Sequence, residues 1–159
     1  MKVSVRVIET GRDLRVPMLS LLGQIAKGVG IKVGVITGTH SSGMSNDALA
    51  AIHEFGTEDG RVPERSFLRS TMNAQRKPWL DFMAGRMRKV VAGTIPALQA
   101  VEQMGLKMSG DVKATIVAGI DPENAPATIA AKGSSTPLID TGQLKESIAH
   151  QVIIGKVPA

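Results

Sequence analysis

The sequence predicts an α+β fold, with a small, mostly antiparallel sheet formed by N-terminal and C-terminal strands and packed with several helices. Near the N-terminus, Val3, Val5 and Val7 alternate with other residues at the period of a half-buried strand. Residues 31–36 and 150–154 are two further apolar runs of strand length. The chain between them carries apolar residues at helical spacing, and strands at both ends with helices between indicate this class.

The length of 159 residues favours one domain, residues 1–159, with a single core. Hydrophobic residues make up 43% of the chain, which is typical of a globular protein. A sheet of so few strands cannot cover every helix. We therefore expect neighbouring subunits to bury some of the apolar helix faces.

The first two helices are delimited by caps and glycines. One is predicted to begin at Asp13 and to stop at Gly28, and apolar residues from Leu14 to Ile25 recur along it at helical spacing on one face. The next is predicted to begin with Asn46 or Asp47 as its cap and to end at Gly56.

The middle of the chain predicts three more helices. A short one opens at Ser66, and a second follows Pro78, since proline is tolerated in a first turn. The third has Thr94 as its cap and, if unbroken, covers about 25 residues. Gly105 and Gly110 weaken this last helix, which could bend or break there.

Towards the C-terminus the predicted elements are short. Residues 121–126 form a turn-rich linker, and residues 127–131 a short apolar helix. Asp140 is the expected N-cap of a brief final helix, with Gln143 three residues on as in a capping box.

The positive charge of the chain is concentrated in its middle. The net charge is +5, yet the segment from Arg61 to Lys89 holds eight bases against two acids, an excess of +6. Such a segment could face DNA or an acidic partner, and the alternative is a solvated helix face. The candidate interface or DNA-facing residues are Arg61, Arg65, Arg69, Arg76, Arg86, Arg88 and Lys89.

Motifs for catalysis or metal binding are missing from the sequence. There is no Cys, and no His has a second His three or four residues away. The Gly-rich segment 37–43 lacks the ending of a phosphate-binding loop, and no nucleophile elbow occurs. We therefore predict a protein that is not an enzyme and needs no cofactor or metal. No apolar run approaches the ~20 residues that a membrane helix needs, so no membrane partner is expected.

Two segments resemble a known family. Residues 51–57 (AIHEFGT) and 62–69 (VPERSFLR) resemble the "HEFGT…IPxRxFLR" signature of phage virion morphogenesis and tail-component proteins. Residues 124–148, which contain NAPATI, KGS and PLIDTGQLKESI, resemble its "NAPxTIxxKG…PLIDTGxLxxSI" pattern. The chain departs from the family at Ser66, where proline is frequent.

The resemblance implies a tail-completion or head–tail joining protein of the phage neck. Such proteins act as a ring, typically of six copies, with other neck and tail proteins as partners. No catalytic residue comes with the family, and the protein would be found in the virion, and in the host cytoplasm during assembly. The motif residues with an architectural role would be Phe55, Gly56, Pro63, Phe67, Asp140, Thr141 and Gly142.

Several alternatives remain open at this stage. Arg65 and Arg69 would present guanidiniums to a neighbour's carboxylates, or they would hold turns of their own subunit. The protein could be a tail terminator instead, or a non-sequence-specific DNA-binding protein that contacts packaged DNA. A small hydrolase or nuclease is the least supported reading, because its motifs are missing.

Overall fold

The structure is a computed structural model that describes residues 23, 28–35, 43–132, 138 and 142–155. These residues form five helices and a two-stranded antiparallel sheet, which confirms the predicted α+β class. The elements are β1 (Val29–Val35), α1 (Asn46–Phe55), α2 (Phe67–Val91), α3 (Ala97–Ala118), α4 (Pro126–Lys132), α5 (Gln143–Ser147) and β2 (Ile148–Ile154).

Helix α3 forms the central layer of the described fold. On one side it runs antiparallel to α2, where the Thr71 and Thr115 hydroxyls lie 2.6 Å apart. On its other side it packs on the sheet, where Ile116 and Ile148 belong to one buried cluster. The core therefore lies on both sides of a single helix. The remaining buried members of the cluster are Ala50, Phe67, Val112, Leu138 and Leu144.

The two strands pair in antiparallel register, with Val29 opposite Ile154 and Val35 opposite Ile148. Val33 and Val35 pack against the core at the alternating spacing expected of a half-covered strand. Both strands are longer than predicted, since pairing extends each to seven residues. The strand and helix predicted for residues 3–7 and from Asp13 lie outside the described residues.

The predicted break before Pro78 is wrong, because α2 is one helix of 25 residues that contains this proline. A proline inside a helix removes one hydrogen bond and costs about 3 kcal/mol. The next residue offsets part of this cost. Trp79 is buried, and its indole N–H donates to an Asp111 carboxylate oxygen of α3 at 2.6 Å.

The start of α3 also differs from the prediction, whereas the helix itself is continuous. The helix has Pro96 at its N-cap, whereas the Thr94 hydroxyl donates to the Lys89 carbonyl at the end of α2. No break occurs at Gly105 or Gly110. Position 105 requires a glycine because strand β2 lies close to the helix there. A Cβ atom at this position would lie 2.3 Å from His150 Cδ2.

The two C-terminal helices were predicted in the right places. Helix α4 matches its prediction to within one residue at each end. Helix α5, however, has Gly142 at its N-cap in a left-handed conformation, so Gln143 is its first residue. The prediction of Asp140 as the cap is therefore wrong, and Asp140 and Thr141 themselves lie outside the described residues.

The two glycines of α3 give a matched test of this packing. Gly105→Ala should lower the free energy of unfolding by about 1–3 kcal/mol, because the new methyl group collides with His150. Gly110→Ala meets open space and should raise it by up to about 1 kcal/mol. Urea unfolding of both variants measures the difference. Equal stabilisation by the two substitutions would contradict the close approach.

Candidate interaction surface

The corner between α1 and α2 is built around the buried carboxylate of Glu54. Its oxygens accept hydrogen bonds from the backbone N–H groups of Leu68 at 2.9 Å and Arg69 at 3.0 Å. They also accept from the Ser66 hydroxyl at 2.8 Å and Arg69 Nε at 3.0 Å. The first N–H groups of a helix have no partner within it and attract negative charge. Glu54 therefore caps α2 from another helix.

The charge state of this corner follows from those contacts. Burial raises the pKa of Glu54, but the hydrogen bonds from the α2 backbone, Ser66 and Arg69 outweigh it and hold the pKa below its usual 4.5. The hydrogen bond to Glu54 raises the pKa of Arg69. Arg69 Nη2 also donates to the Glu54 carbonyl and to Glu64 Oε1, both at 2.8 Å. Glu54 and Arg69 are thus both ionised at neutral pH.

Gly56 ends α1 in a conformation that only glycine adopts easily. Its φ is +74°, and a Cβ atom would lie 2.9 Å from the Glu64 backbone nitrogen. The loop that follows is closed by the Thr57 N–H, which donates to the Val62 carbonyl at 2.9 Å. Half-buried Pro63 lies in the same loop. Gly56 and Pro63 therefore both belong to the turn of the subunit itself.

Arg65 binds within its own chain, which corrects the expectation that it faces a neighbour. The residue is only 6% exposed. Its Nε donates to the Pro122 carbonyl at 2.7 Å, and its Nη2 to the Glu123 carbonyl at 3.0 Å. Burial lowers the pKa of Arg65. The guanidinium ties the α1–α2 corner to the loop that follows α3.

The two aromatic residues of the first motif have opposite surroundings. Phe67 is completely buried in the core cluster. Phe55 is 65% exposed, and the Arg69 guanidinium lies 4.7 Å from the centroid of its ring. Phe55 is therefore a surface residue that offers an apolar contact, whereas Phe67 is part of the core.

Helix α2 has a net positive charge as large as that of the whole chain. Its six bases and one acid give it a charge of +5, the same as the whole chain. Arg76, Arg88 and Lys89 are exposed. Arg86 is half-buried with its guanidinium 4.5 Å from the Phe82 ring centroid. Five of the seven candidate interface or DNA-facing residues therefore lie on one helix. Arg61 lies outside that helix, exposed in the loop before it and paired with Asp59 at 3.1 Å.

Exposed apolar side chains alternate with these bases, a feature that the sequence analysis missed. Met72 is 53% exposed and Leu80 is 65% exposed, and Arg76 lies between them at intervals of four residues. Residues spaced by four share one helix face. The spacing was visible in the sequence, but the exposure of the face was not. Val91 at the end of α2, and Leu98, Leu106 and Val117 of α3, are exposed as well.

The aromatic rings among the bases are engaged inside the fold. Trp79 is 7% exposed, and the Asp111 carboxylate that accepts its N–H also binds Lys107 Nζ at 3.0 Å. Phe82 has cations near its ring from Arg86 at 4.5 Å and Lys107 at 6.0 Å. Proteins that bind single-stranded nucleic acid stack the bases on exposed aromatic rings, so the buried ring of Trp79 is not suited to that role.

The described part of the chain shows no group of three His, Asp or Glu side chains that could hold a metal ion. Within that same part, no helix is long and apolar enough to cross a membrane. Of the histidines in this part, His150 Nε2 lies 3.0 Å from Glu102 Oε2, which joins β2 to α3. Comparisons with protein-family models, curated proteins and solved structures gave no match to this chain.

Glu54 and Glu64 provide a matched pair of carboxylates, since both accept from Arg69. Glu54→Gln should lower the free energy of unfolding at pH 7 by about 2 kcal/mol or more, because buried donors lose a charged acceptor. Glu64→Gln removes only an exposed ion pair and should cost less than about 1 kcal/mol.

The pH dependence of unfolding separates these two variants further. A carboxyl group whose pKa is lowered by folding contributes stability above its unfolded pKa and loses it as the pH falls through the folded value. The wild type and Glu64→Gln should therefore lose stability as the pH falls below 4.5, the ordinary value for Glu54. Glu54→Gln should lose less over that range. If the free energy of unfolding fell equally with pH in all three proteins, the capping role of Glu54 would be contradicted.

The internal role of Arg65 predicts a loss of stability on truncation. Arg65→Ala should lower the free energy of unfolding by about 2 kcal/mol or more, since it removes charged donors from two carbonyls. Arg61→Ala, at an exposed position, should stay within about 0.5 kcal/mol of the wild type. Thermal and urea unfolding test this. A folded Arg65→Ala of wild-type stability that fails to assemble would restore the interface role.

Proposed function

We propose that the protein is a structural component of a tailed phage virion, a tail-completion or neck protein that assembles as a ring at the head–tail junction. The observation that carries this proposal is the α1–α2 corner. Residues of the resembling segments, among them Glu54, Gly56, Arg65 and Phe67, come together there in one architectural unit.

The chemistry of the corner supports a scaffold rather than an enzyme. The carboxylate of Glu54 and the guanidinium of Arg65 are both buried, and their hydrogen bonds go to groups of the same chain. Groups held in this way fix the direction of a helix and are not presented to a substrate.

The surface of the two long helices supports assembly with other proteins. Met72, Leu80 and Leu106 are each more than half exposed. Apolar side chains gathered on a helix surface mark sites of protein contact, and a ring subunit must bury two such surfaces against its neighbours. The exposed apolar side chains of α2 and α3 are suited to such contacts.

The charge of α2 favours non-sequence-specific DNA binding as a second candidate function. Phosphate contacts by bases would make such binding fall steeply with salt concentration. The alternation of apolar side chains with bases on α2 favours a protein partner, because Met72 and Leu80 gain little from phosphates.

Mass determination of the purified full chain tests the proposal. We expect gel filtration with light scattering to give a discrete oligomer, about 100 kDa for six copies of the 16.7 kDa chain. Negative-stain microscopy should show rings with a central hole. A monomer at all concentrations that binds duplex DNA in a salt-dependent manner would overturn the ring and favour the DNA-binding candidate.

A further inference from the structure

Opposite charges are gathered at the two ends of α2. The basic end, residues 82–101, contains Arg86, Arg88 and Lys89 and no acidic residue. The corner loops, residues 57–66 and 119–125, contain five acids and two bases. The acids are Glu58, Asp59, Glu64, Asp121 and Glu123, and the bases are Arg61 and Arg65. The two loops thus carry a net charge of −3, and two of their acids, Asp59 and Glu64, pair with Arg61 and Arg69.

The corner loops form one end of the subunit because Arg65 joins them. Its backbone lies in the first loop, and its guanidinium binds two carbonyls of the second. Both loops therefore adjoin the first turn of α2. The basic end lies at the other end of this helix, roughly 30 Å away at 1.5 Å per residue.

This separation prevents the two ends from neutralising each other within one chain. Exposed charges farther apart than a Debye length, about 8 Å at physiological ionic strength, are largely screened from each other. An acid of the corner loops and a base of the basic end can therefore form a close pair only when they belong to different molecules.

We propose that copies of the chain associate head to tail, with the corner loops of one copy against the basic end of the next. This inference rests on the proposed function, since a heterologous contact of this kind closes into a ring when its rotation permits. A contact between two identical patches would instead place like charges together, which disfavours association.

Each of the two surfaces also has an exposed apolar side chain that can be buried in the contact. Phe55 lies beside the corner loops and is 65% exposed. Val91 and Leu98 lie at the basic end and are 53% and 41% exposed. Interfaces commonly bury an apolar anchor inside a polar rim. A phosphate backbone would leave these side chains without such a partner, so the surfaces suit a second copy better than DNA.

Charge reversal of each end tests the contact in the full chain. The basic-end variant is R86E/R88E/K89E, and the corner variant is E58K/D59K/E123K, which leaves the Glu54–Arg69–Glu64 cluster intact. Each variant alone should associate at least about 100-fold more weakly than the wild type, because like charges then meet at the contact. K32E reverses an exposed charge on β1, outside both surfaces, and should associate as the wild type does. Circular dichroism verifies that every variant is folded.

The decisive variant carries both reversals in one chain. It has an acidic helix end and basic corner loops, so its copies should associate again to within about 10-fold of the wild type. An equimolar mixture of the two single-end variants should also assemble, because each supplies the charge that the other lacks. Restoration in either case is not expected if the substitutions act only by damaging the fold.

The outcomes distinguish this inference from the proposed function. A wild-type ring that persists in both single-end variants would overturn the head-to-tail contact and leave the ring intact. Failure of the doubly reversed chain to assemble would also overturn the contact. A monomeric wild type whose binding to duplex DNA is lost in R86E/R88E/K89E would overturn both proposals.

Discussion

The capping of α2 by Glu54 is the interaction on which the rest of the described fold depends. A buried carboxylate is costly unless hydrogen bonds compensate it, and here four donors do so. Those donors exist only where α2 begins, so the carboxylate fixes both the start and the direction of the helix. Gly56 lets the loop turn tightly enough for Glu54 and the first turn of α2 to meet. The corner is thus a single electrostatic unit made from two helices.

The position of α2 then determines the layers beneath it. Two polar contacts, from Thr71 to Thr115 and from Trp79 to Asp111, align α2 with α3 over about two turns of α2. On its other side, α3 brings Gly105 against His150 of β2. Arg65 closes the arrangement by binding the loop at the far end of α3. A change at the corner should therefore be felt across all three layers.

Local signals in the sequence were sufficient for the elements but not for the contacts between them. The end of α1 was predictable because Gly56 is a local stop signal, and the final strand because its apolar run is local. The continuity of α2 through Pro78 was not, since Trp79 offsets the proline through Asp111, which lies 32 residues away. The burial of Arg65 depends on carbonyls 57 and 58 residues away. Glu54 was missed for the same reason, although one signal existed: the first turn of α2 has no acid of its own.

The charge arrangement along α2 has two consequences that reinforce each other. Acids beside the start of a helix and bases in its last turn stabilise it by about 0.3–1 kcal/mol each through the helix dipole. Glu54 occupies the first position, and Arg88 and Lys89 the second. The helix dipole accounts for the sign of the charge at each end of α2. One or two charges at each end are enough for this stabilisation, and exposed apolar residues play no part in it. The remaining acids and bases extend the same polarity to the surface, and the proposed head-to-tail contact depends on this arrangement of charge.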